Sequence, residues 1–386
     1  MIFGSDEFAA GILRKLNDHL RSDKSRIVNV EVACPLPKGG LMREWKGKKG
    51  VNNNNLTPIH RTASELFNKV HPRSPQSLTG WSIPEPSLGG VLRGNVETIA
   101  IVCYSNLILP ERLANSFSLG MLHIHPSLLP MHRGHTAIQT AILRGDESTG
   151  VTISEYSFRA SCSGKILAQI PYKLNRTSKF SEVQQILAQL GGDLLGMALE
   201  NLSYLRAHAI LQNESQATYT RQYTDDDMKI VWEKMTANDI YRRYRAFCGL
   251  MNPHTVWRKK DKMYKLLLLN MYVPDPDVPL MSMNFSKYPP GSMFFINKVP
   301  YLEVPCIDGS RIHLLDLLVV GRTPKTALQF VNGYLRDTGA IRMLTNAVLP
   351  KKATPPFEYP AGHPRAKQDP KISQDLIKEE SNRTLA

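Results

Sequence analysis

Between Met121 and Ile153 an alternating pentad, a proline-ended polar turn, an apolar-periodic segment and a second strand-like run follow one another, and that order leaves few folds open. In the pentad, Leu122 and Ile124 fall on one side of an extended chain and His123 and His125 on the other, because successive strand side chains face opposite sides of a sheet. Pro126 stops the ladder by removing a donor, and Ser127 to Pro130 turn the chain. His132, Arg133 and Gly134 then lead into His135 to Arg144, whose apolar spacing predicts a helix. Gly150 to Tyr156 supplies the next strand, so the block reads as a βαβ-type unit of an open α/β sheet. Ligands in such sheets bind beyond the carboxyl ends of the strands, which puts the imidazoles at the lip of a cleft.

The flanking sequence extends the same architecture. Helical spacing over Phe8 to Leu20, alternation over Ile27 to Ala33 and the apolar run Thr98 to Tyr104 predict a doubly wound sheet. Ser181 to Tyr204 has helical spacing interrupted by Gly191-Gly192, and Gln212 to Asp227 is polar and aperiodic, as expected of a linker. A second domain opens with Thr236-Ala237-Asn238-Asp239, a capping-box pattern ahead of a helix over Ile240 to Leu250 that carries Arg242, Arg243 and Arg245. Short runs at Lys265 to Tyr272, Ser292 to Ile296, Tyr301 to Val304 and Arg311 to Val319, separated by Pro, Gly and Asp turns, predict a small β-barrel. The expected fold class is therefore α/β, a Rossmann-like domain over 1–205, a linker over 206–227, a barrel over 228–345 and a disordered tail over 346–386.

Forty-eight Lys and Arg against 34 Asp and Glu give a formal charge of +14, which favours a polyanionic partner such as nucleic acid. The segment 35–55, rich in Lys, Gly and Asn, is too polar for an element interior. It is either a solvated basic loop or a phosphate-contacting one carrying Lys38, Arg43, Lys46, Lys48 and Lys49. No apolar run approaches bilayer-spanning length, so no membrane partner is expected. Five scattered cysteines, Cys34, Cys103, Cys162, Cys248 and Cys306, without a CxxC pair, argue against a disulfide framework or zinc knuckle and for a reducing compartment. Met1 to Phe8 reads as the end of a strand and its turn rather than a signal peptide; the first strand looks cut short, as if a targeting segment had preceded it or the chain started late.

Ser127-Leu128-Leu129-Pro130, the Arg133-Gly134 pair, Gly145-Asp146, Thr149-Gly150 and Val151-Thr152-Ile153 resemble the signature of the folate-dependent formyltransferases. Phe3 to Ala9 resembles that family's first strand-to-helix loop, and the resemblance runs on to Asn332-Gly333-Tyr334-Leu335 in a second, OB-like domain, as in its members that formylate methionyl-tRNA. Members of the purine pathway have the first domain alone. The resemblance implies 10-formyltetrahydrofolate as formyl donor, with no metal, and initiator methionyl-tRNA as acceptor. It assigns the folate to Asn106, Leu107, Ile108 and Leu109, and to Ser127, Leu128, Leu129 and Pro130, and the tRNA to the basic loop; by charge, the helix of Arg242, Arg243 and Arg245 either faces tRNA phosphate or is a solvated basic face. The His125-Pro126-Ser127 step and lysine-laden flanks are similar to mitochondrial members, which implies the matrix and a monomer.

Formyl transfer to an amine passes through a tetrahedral oxyanion, so the site needs a donor at the oxygen and an acceptor for the amine proton. The family uses Asn, His and Asp. Here the Asn-x-His strand reads His123-Ile124-His125, and the Asp-x-Gly step reads Cys162-Ser163-Gly164, so the resemblance assigns catalysis to His125, His123 and Cys162. Glu155 is the nearest carboxylate in sequence. The alternatives are a His-x-His buried and hydrogen-bonded within its strand, a zinc site of the two histidines with Cys162 that lacks a fourth ligand, and a weakened relative that binds tRNA or folate without turnover.

Overall fold

A computed structural model describes residues 1–22, 27–35, 56–66, 69–73, 96–103, 109–158, 162–259, 262–275, 288–295, 299–335 and 341–344. The basic loop and the tail expected over 346–386 lie outside them. The chain divides into two compact units, Met1–Ala141 with Asp146–Gln222, and Ile142–Gly145 with Tyr223–Ala386.

The first unit is built on β1 (Ile2–Phe3), β2 (Val32–Pro35), β3 (Val70–Arg73), β4 (Ala100–Cys103), β5 (Met121–His125), β6 (Ser148–Glu155) and β7 (Ile166–Lys173), in the sheet order β3-β2-β1-β4-β5-β6-β7. Helices α1 (Glu7–Leu20), α2 (Pro58–Leu66), α3 (Ala137–Arg144), α4 (Phe180–Glu200) and α5 (Leu202–Ala207) accompany it. The four strands β4, β1, β2 and β3 run parallel with β5, and every residue of β4 and β5 is buried, which is why β4 reads as a continuous apolar run, whereas β5 buries His123 and His125 among its apolar residues. One expectation is corrected here. β6 pairs with β5 antiparallel, Ile124 opposite Ile153, so the block is not a parallel βαβ unit. The connection through α3 is long enough for either direction, and only the pairing partner decides between them.

Two more boundaries differ for physical reasons. The alternation over 27–33 gives a strand only from Val32, because the neighbouring β1 offers just Ile2 and Phe3 to pair with, and Val28 is 73% exposed. Gly191-Gly192 does not interrupt α4. A Cβ on Gly192 would stand 2.3 Å from Lys15 Cβ of α1, so the glycine permits close approach of the two helices.

In the second unit Thr236 caps α6 (Ala237–Phe247), its side chain accepting from Asp239 N–H while the Asp239 carboxylate accepts from Thr236, the reciprocal capping expected. Strands β8 (His254–Lys259), β9 (Lys262–Tyr272), β10 (Ser292–Phe295), β11 (Leu302–Pro305), β12 (Arg311–Val319), β13 (Lys325–Thr326) and β14 (Ile341–Leu344) pair antiparallel, and α7 (Ala327–Phe330) follows β13. The order β11-β10-β14-β8-β9-β12-β13, with β11 also paired to β12, closes six strands into a ring. An OB-like barrel results, filled by Trp257, Leu266, Leu268, Met293, Leu302, Ile312, Leu314 and Phe330.

At the foot of β8 the His254 ring is buried. Burial first, then the Lys265 ammonium, push its pKa below the usual 6.5, against the opposing pull of Asp225 and Asp226. The folded state therefore holds this proton less tightly than the unfolded chain. Stability attributable to His254 is expected to fall as pH drops through 6.5, with a slope of at most ~1.4 kcal/mol per pH unit for one proton. Urea midpoints for the parent chain and His254→Gln, taken from pH about 7 to about 5, check this: the slope should be shallower in the variant.

Candidate active site

Strand β5 sets the site. Its pairing places His123 opposite Ser154 and His125 opposite Thr152, so these four share one face, while Leu122 and Glu155 share the other. Beyond β5 the Ser127–Pro130 turn is tied to the neighbouring strands by side chains. Thr152 Oγ1 donates to the Ser127 carbonyl at 2.6 Å and accepts from Leu129 N–H at 3.0 Å. Gln169 Nε2 donates to the Leu129 carbonyl and to Thr152 Oγ1, both at 2.8 Å. The turn is thus a fixed platform rather than a free reversal.

His125 Nε2 stands 3.0 Å from the His132 carbonyl; a carbonyl only accepts, so Nε2 carries the proton and Nδ1 presents its lone pair. That Nδ1 lies 3.9 Å from Cys162 Sγ. The rings of His123 and His125 are 5.2 Å apart, and one ligating atom from each of His123, His125 and Cys162 falls within 4.8 Å of the others. The three residues brought together by resemblance therefore meet in space, with His125 1% and His123 8% exposed. The histidines do not stand on an open lip, which corrects that expectation: the partly exposed member is the Cys162 thiol.

Burial, followed by the neighbouring His125 and His135, lowers His123 to about 3, so its imidazole is neutral and can donate one hydrogen bond. Burial also pulls His125 down, but the Cys162 sulfur beside it, the hydrogen bond to that sulfur and the His132 carbonyl together outweigh it and raise the ring above its ordinary value. Glu155 is excluded as a substitute for the family carboxylate. It points to the other face of the sheet, where Arg206 Nε donates to it at 2.7 Å.

Cys162 has a left-handed backbone, φ +59, which a non-glycine residue adopts only when its surroundings impose it. Gln212 does so, its Nε2 donating to the Cys162 carbonyl at 2.8 Å and to the Gly164 carbonyl at 2.7 Å. Gln212 is in turn held by Arg133, whose Nη2 and Nε donate to Gln212 Oε1 at 2.7 and 3.1 Å while Nη1 and Nη2 reach Glu214, each at 2.8 Å. The segment containing Thr218 runs parallel to this loop: Arg133 N–H donates to the Thr218 carbonyl and Thr220 N–H to the Arg133 carbonyl, both at 2.8 Å. From the sequence Arg133 has no role beyond its place in the family block, and Gln212 falls in a linker. The available signal was an arginine next to a glycine, with polar partners some eighty positions away.

Among the folate candidates, Leu109, Ser127 and Leu129 are buried and Leu128 and Pro130 half-buried. Leu109 N–H donates to Tyr156 Oη at 3.1 Å, and the Tyr156 ring meets His123 edge-on with centroids 6.5 Å apart, so Leu109, Tyr156 and His123 are linked through the tyrosine. Asn106, Leu107 and Ile108 lie outside the described residues, as do Lys38, Arg43, Lys46, Lys48 and Lys49. Of the α6 arginines, Arg245 is withdrawn as a phosphate contact: it is 6% exposed, with its guanidinium over the Tyr241 ring at 5.3 Å. Arg243 is half-buried and donates to the carbonyls of Asp227 and Asp239, while Arg242 keeps intermediate exposure.

Residues 85–199 match the family described as Formyl transferase. The methionyl-tRNA formyltransferase of Ehrlichia chaffeensis is 30% identical over 341 residues, covering 88% of this chain and 99% of that protein. The chain belongs to the methionyl-tRNA formyltransferase family. The human mitochondrial methionyl-tRNA formyltransferase is 26% identical over 341 residues, covering 87% of this chain and 77% of the relative. Among solved structures, the N-formyltransferase from Helicobacter canadensis in complex with folinic acid and dTDP-3-aminofucose has a TM-score of 0.51 at 16% identity, covering 81% of this chain and 97% of that one. WlaRD, a sugar 3N-formyltransferase in the presence of dTDP and 5-N-formyl-THF, has a TM-score of 0.50 at 14% identity, covering 81% and 95%. These likenesses establish the fold, a Rossmann-like formyltransferase unit followed in the chain by a second unit.

Proposed function

We propose that this enzyme transfers the formyl group of 10-formyltetrahydrofolate to the amino group of methionine carried on initiator tRNA. The observation that carries the reading is the fixed His125 imidazole, one ring nitrogen tied to the His132 carbonyl and the other facing Cys162, in a chain of this family. The amine attacks the formyl carbon, a C–N bond forms, and the carbonyl oxygen gathers charge. His123, neutral and on the same face, is the donor for that oxygen. His125 Nδ1 takes the proton lost by the amine and returns it to N10 as the C–N10 bond breaks, so no group is consumed. Arg133 and Gln212 position Cys162 without touching the reacting atoms.

Cys162 stands where the family carries aspartate, and a thiol accepts a hydrogen bond more weakly than a carboxylate. Cys162→Asp is therefore expected to raise kcat, by up to about tenfold for ~1.4 kcal/mol of added transition-state stabilisation, with KM for tRNA unchanged. Steady-state formylation kinetics of both chains check it; an equal or lower kcat in the variant contradicts the assigned role.

The basic loop and Arg242 are the proposed phosphate contacts. Replacing Lys46, Lys48 and Lys49 together by alanine should weaken tRNA binding and flatten its dependence on log salt by ~0.7 to 0.9 for each phosphate no longer neutralised. Filter binding across a salt series measures both. The likeness to relatives named mitochondrial, from human, cattle and rat, supports a mitochondrial form; on this reading the enzyme acts in the matrix, as a monomer and away from the membrane. No described helix is long and apolar enough to cross a bilayer.

The reading is tested by acceptor choice. Supplied with 10-formyltetrahydrofolate, the chain should formylate methionyl-initiator tRNA and leave a dTDP-amino sugar untouched. The reverse preference would place it with the sugar formyltransferases, and tight tRNA retention without transfer would make it a binding protein.

A further inference from the structure

The two departures from the family pattern, His123 and Cys162, are both metal-ligating side chains, and both stand beside a third, His125. We propose that these three residues form a binding site for Zn²⁺, and that the bound ion reversibly switches formyl transfer off. The inhibitory half rests on the proposed function; the binding half does not.

The donor set is two imidazole nitrogens and one thiolate sulfur, which suits a borderline-soft divalent ion rather than Mg²⁺ or Ca²⁺. The spacing suits it too. A tetrahedral zinc with Zn–N of ~2.0 Å and Zn–S of ~2.3 Å sets those ligands ~3.6 Å apart. Cys162 Sγ and His125 Nδ1 are 3.9 Å apart, so a shift of a few tenths of an ångström closes that pair, while the widest pair of the cluster, at up to 4.8 Å, must draw in by about 1 Å through side-chain rotation. The strand contributes the rest: His123 and His125, two apart on β5, share a face, and every ligating atom lies within 4.8 Å of the others.

The support around the ligands is that of a metal site. His125 gives its other ring nitrogen to a backbone carbonyl, the arrangement that fixes the tautomer and aims the Nδ1 lone pair toward the Cys162 sulfur and a shared ion. Cys162 is held in a left-handed conformation, its carbonyl and that of Gly164 fastened by Gln212 and through it by Arg133. Three protein ligands leave a fourth coordination position for water, as in zinc sites that keep an open position.

Binding forms two Zn–N bonds and one Zn–S bond and releases the Cys162 thiol proton to solvent. It takes the His125 Nδ1 lone pair, the group assigned to receive the amine proton, so an occupied site has no base for formyl transfer. Loss of the ion restores it.

Chelator-treated full chain titrated with Co²⁺, a spectroscopic substitute for Zn²⁺, tests the assignment. One equivalent per chain should bind with a thiolate-to-metal charge-transfer band and tetrahedral d–d bands, and Zn²⁺ should displace it. Cys162→Ser should abolish the charge-transfer band. His123→Ala should weaken Zn²⁺ by more than the roughly 10–100-fold that loss of a supporting hydrogen bond costs. Circular dichroism confirms that each variant is folded, and Cys248→Ser, at the other half-exposed cysteine, should leave the spectrum intact. No band, or a band that survives Cys162→Ser, overturns the site. Formylation measured with stoichiometric Zn²⁺ and then excess chelator should fall and recover. Unchanged or faster transfer with metal bound overturns the switch, whereas a normal metal titration with no transfer in either state keeps the site and overturns the proposed function.

Discussion

His125→Ala is expected to lower formyl transfer to methionyl-tRNA by ~10²–10⁴-fold while leaving tRNA binding within about threefold of the parent. The size follows from the chemistry. The attacking amine must lose a proton as the C–N bond forms, and the nitrogen facing the cluster is His125 Nδ1, its alternative role blocked because Nε2–H is committed to the His132 carbonyl at 3.0 Å. Of the other polar groups on that face, His123 is held neutral with a pKa near 3 and is a poor base, and Ser154 and Thr152 carry no useful base at all. Glu155 cannot compensate from the opposite face. The alanine variant retains the apolar side of β5, Leu122 and Ile124, both fully buried, so the fold survives and tRNA binding reports on it. Single-turnover formylation beside filter binding gives both readouts; a rate within a few-fold of the parent, with binding intact, removes His125 from the mechanism.

The second large effect is expected at a position with no chemistry of its own. An ideal Cβ on Gly164 would stand 1.7 Å from the Glu155 carbonyl oxygen and 2.7 Å from its carbon, and backbone cannot yield as a flexible side chain would. Here the chain returns from Cys162 onto the end of β6, with Glu155 N–H donating to the Lys165 carbonyl at 2.9 Å. Gly164→Ala must push the return outward, breaking the Gln212 bond to the Gly164 carbonyl and moving the Cys162 thiol away from His125. Overpacking of this kind costs about 1–3 kcal/mol or more of stability. Activity should fall further still, because a displacement of about 1 Å in a reacting constellation costs ~10²-fold in rate. Gly333→Ala, where nothing lies within 4 Å of the added carbon, is the matched control and should change neither. Urea midpoints and formylation rates for both variants decide it; a Gly164→Ala chain with parental values would mean that the loop has room the structure does not show.

What the sequence made legible is local. The pentad Met121 to His125, the polar turn after it, the capping box at Thr236 and the barrel strand over Arg311 to Val319 all carry their signals within a few neighbouring residues. The constellation His123, His125 and Cys162 was reachable too, but only through the spacing of the family block, since nothing local ties position 162 to position 125. What stayed hidden depends on partners distant in the chain. The antiparallel direction of β6 is settled by its pairing with β5, which alternation cannot encode. Arg133 and Gln212 meet across seventy-nine positions, and a lone arginine or glutamine in a polar stretch has no periodicity to betray a buried partner. Arg245 is buried with its guanidinium over the ring of Tyr241, one turn back on the same helix, where charge alone pointed to phosphate or solvent. The glycine pair in α4 misled for the opposite reason: a residue that ends helices when solvated is required where two helices touch.

The central claim is that the fixed imidazole of β5 serves formyl transfer to a charged tRNA. Metal-free full chain incubated with excess methionyl-initiator tRNA and 10-formyltetrahydrofolate, followed by mass analysis of the amino acid released from the tRNA, tests it most directly. Formylmethionine accumulating beyond one equivalent per chain is the result predicted; methionine recovered unmodified from tRNA that the protein demonstrably retains would contradict it.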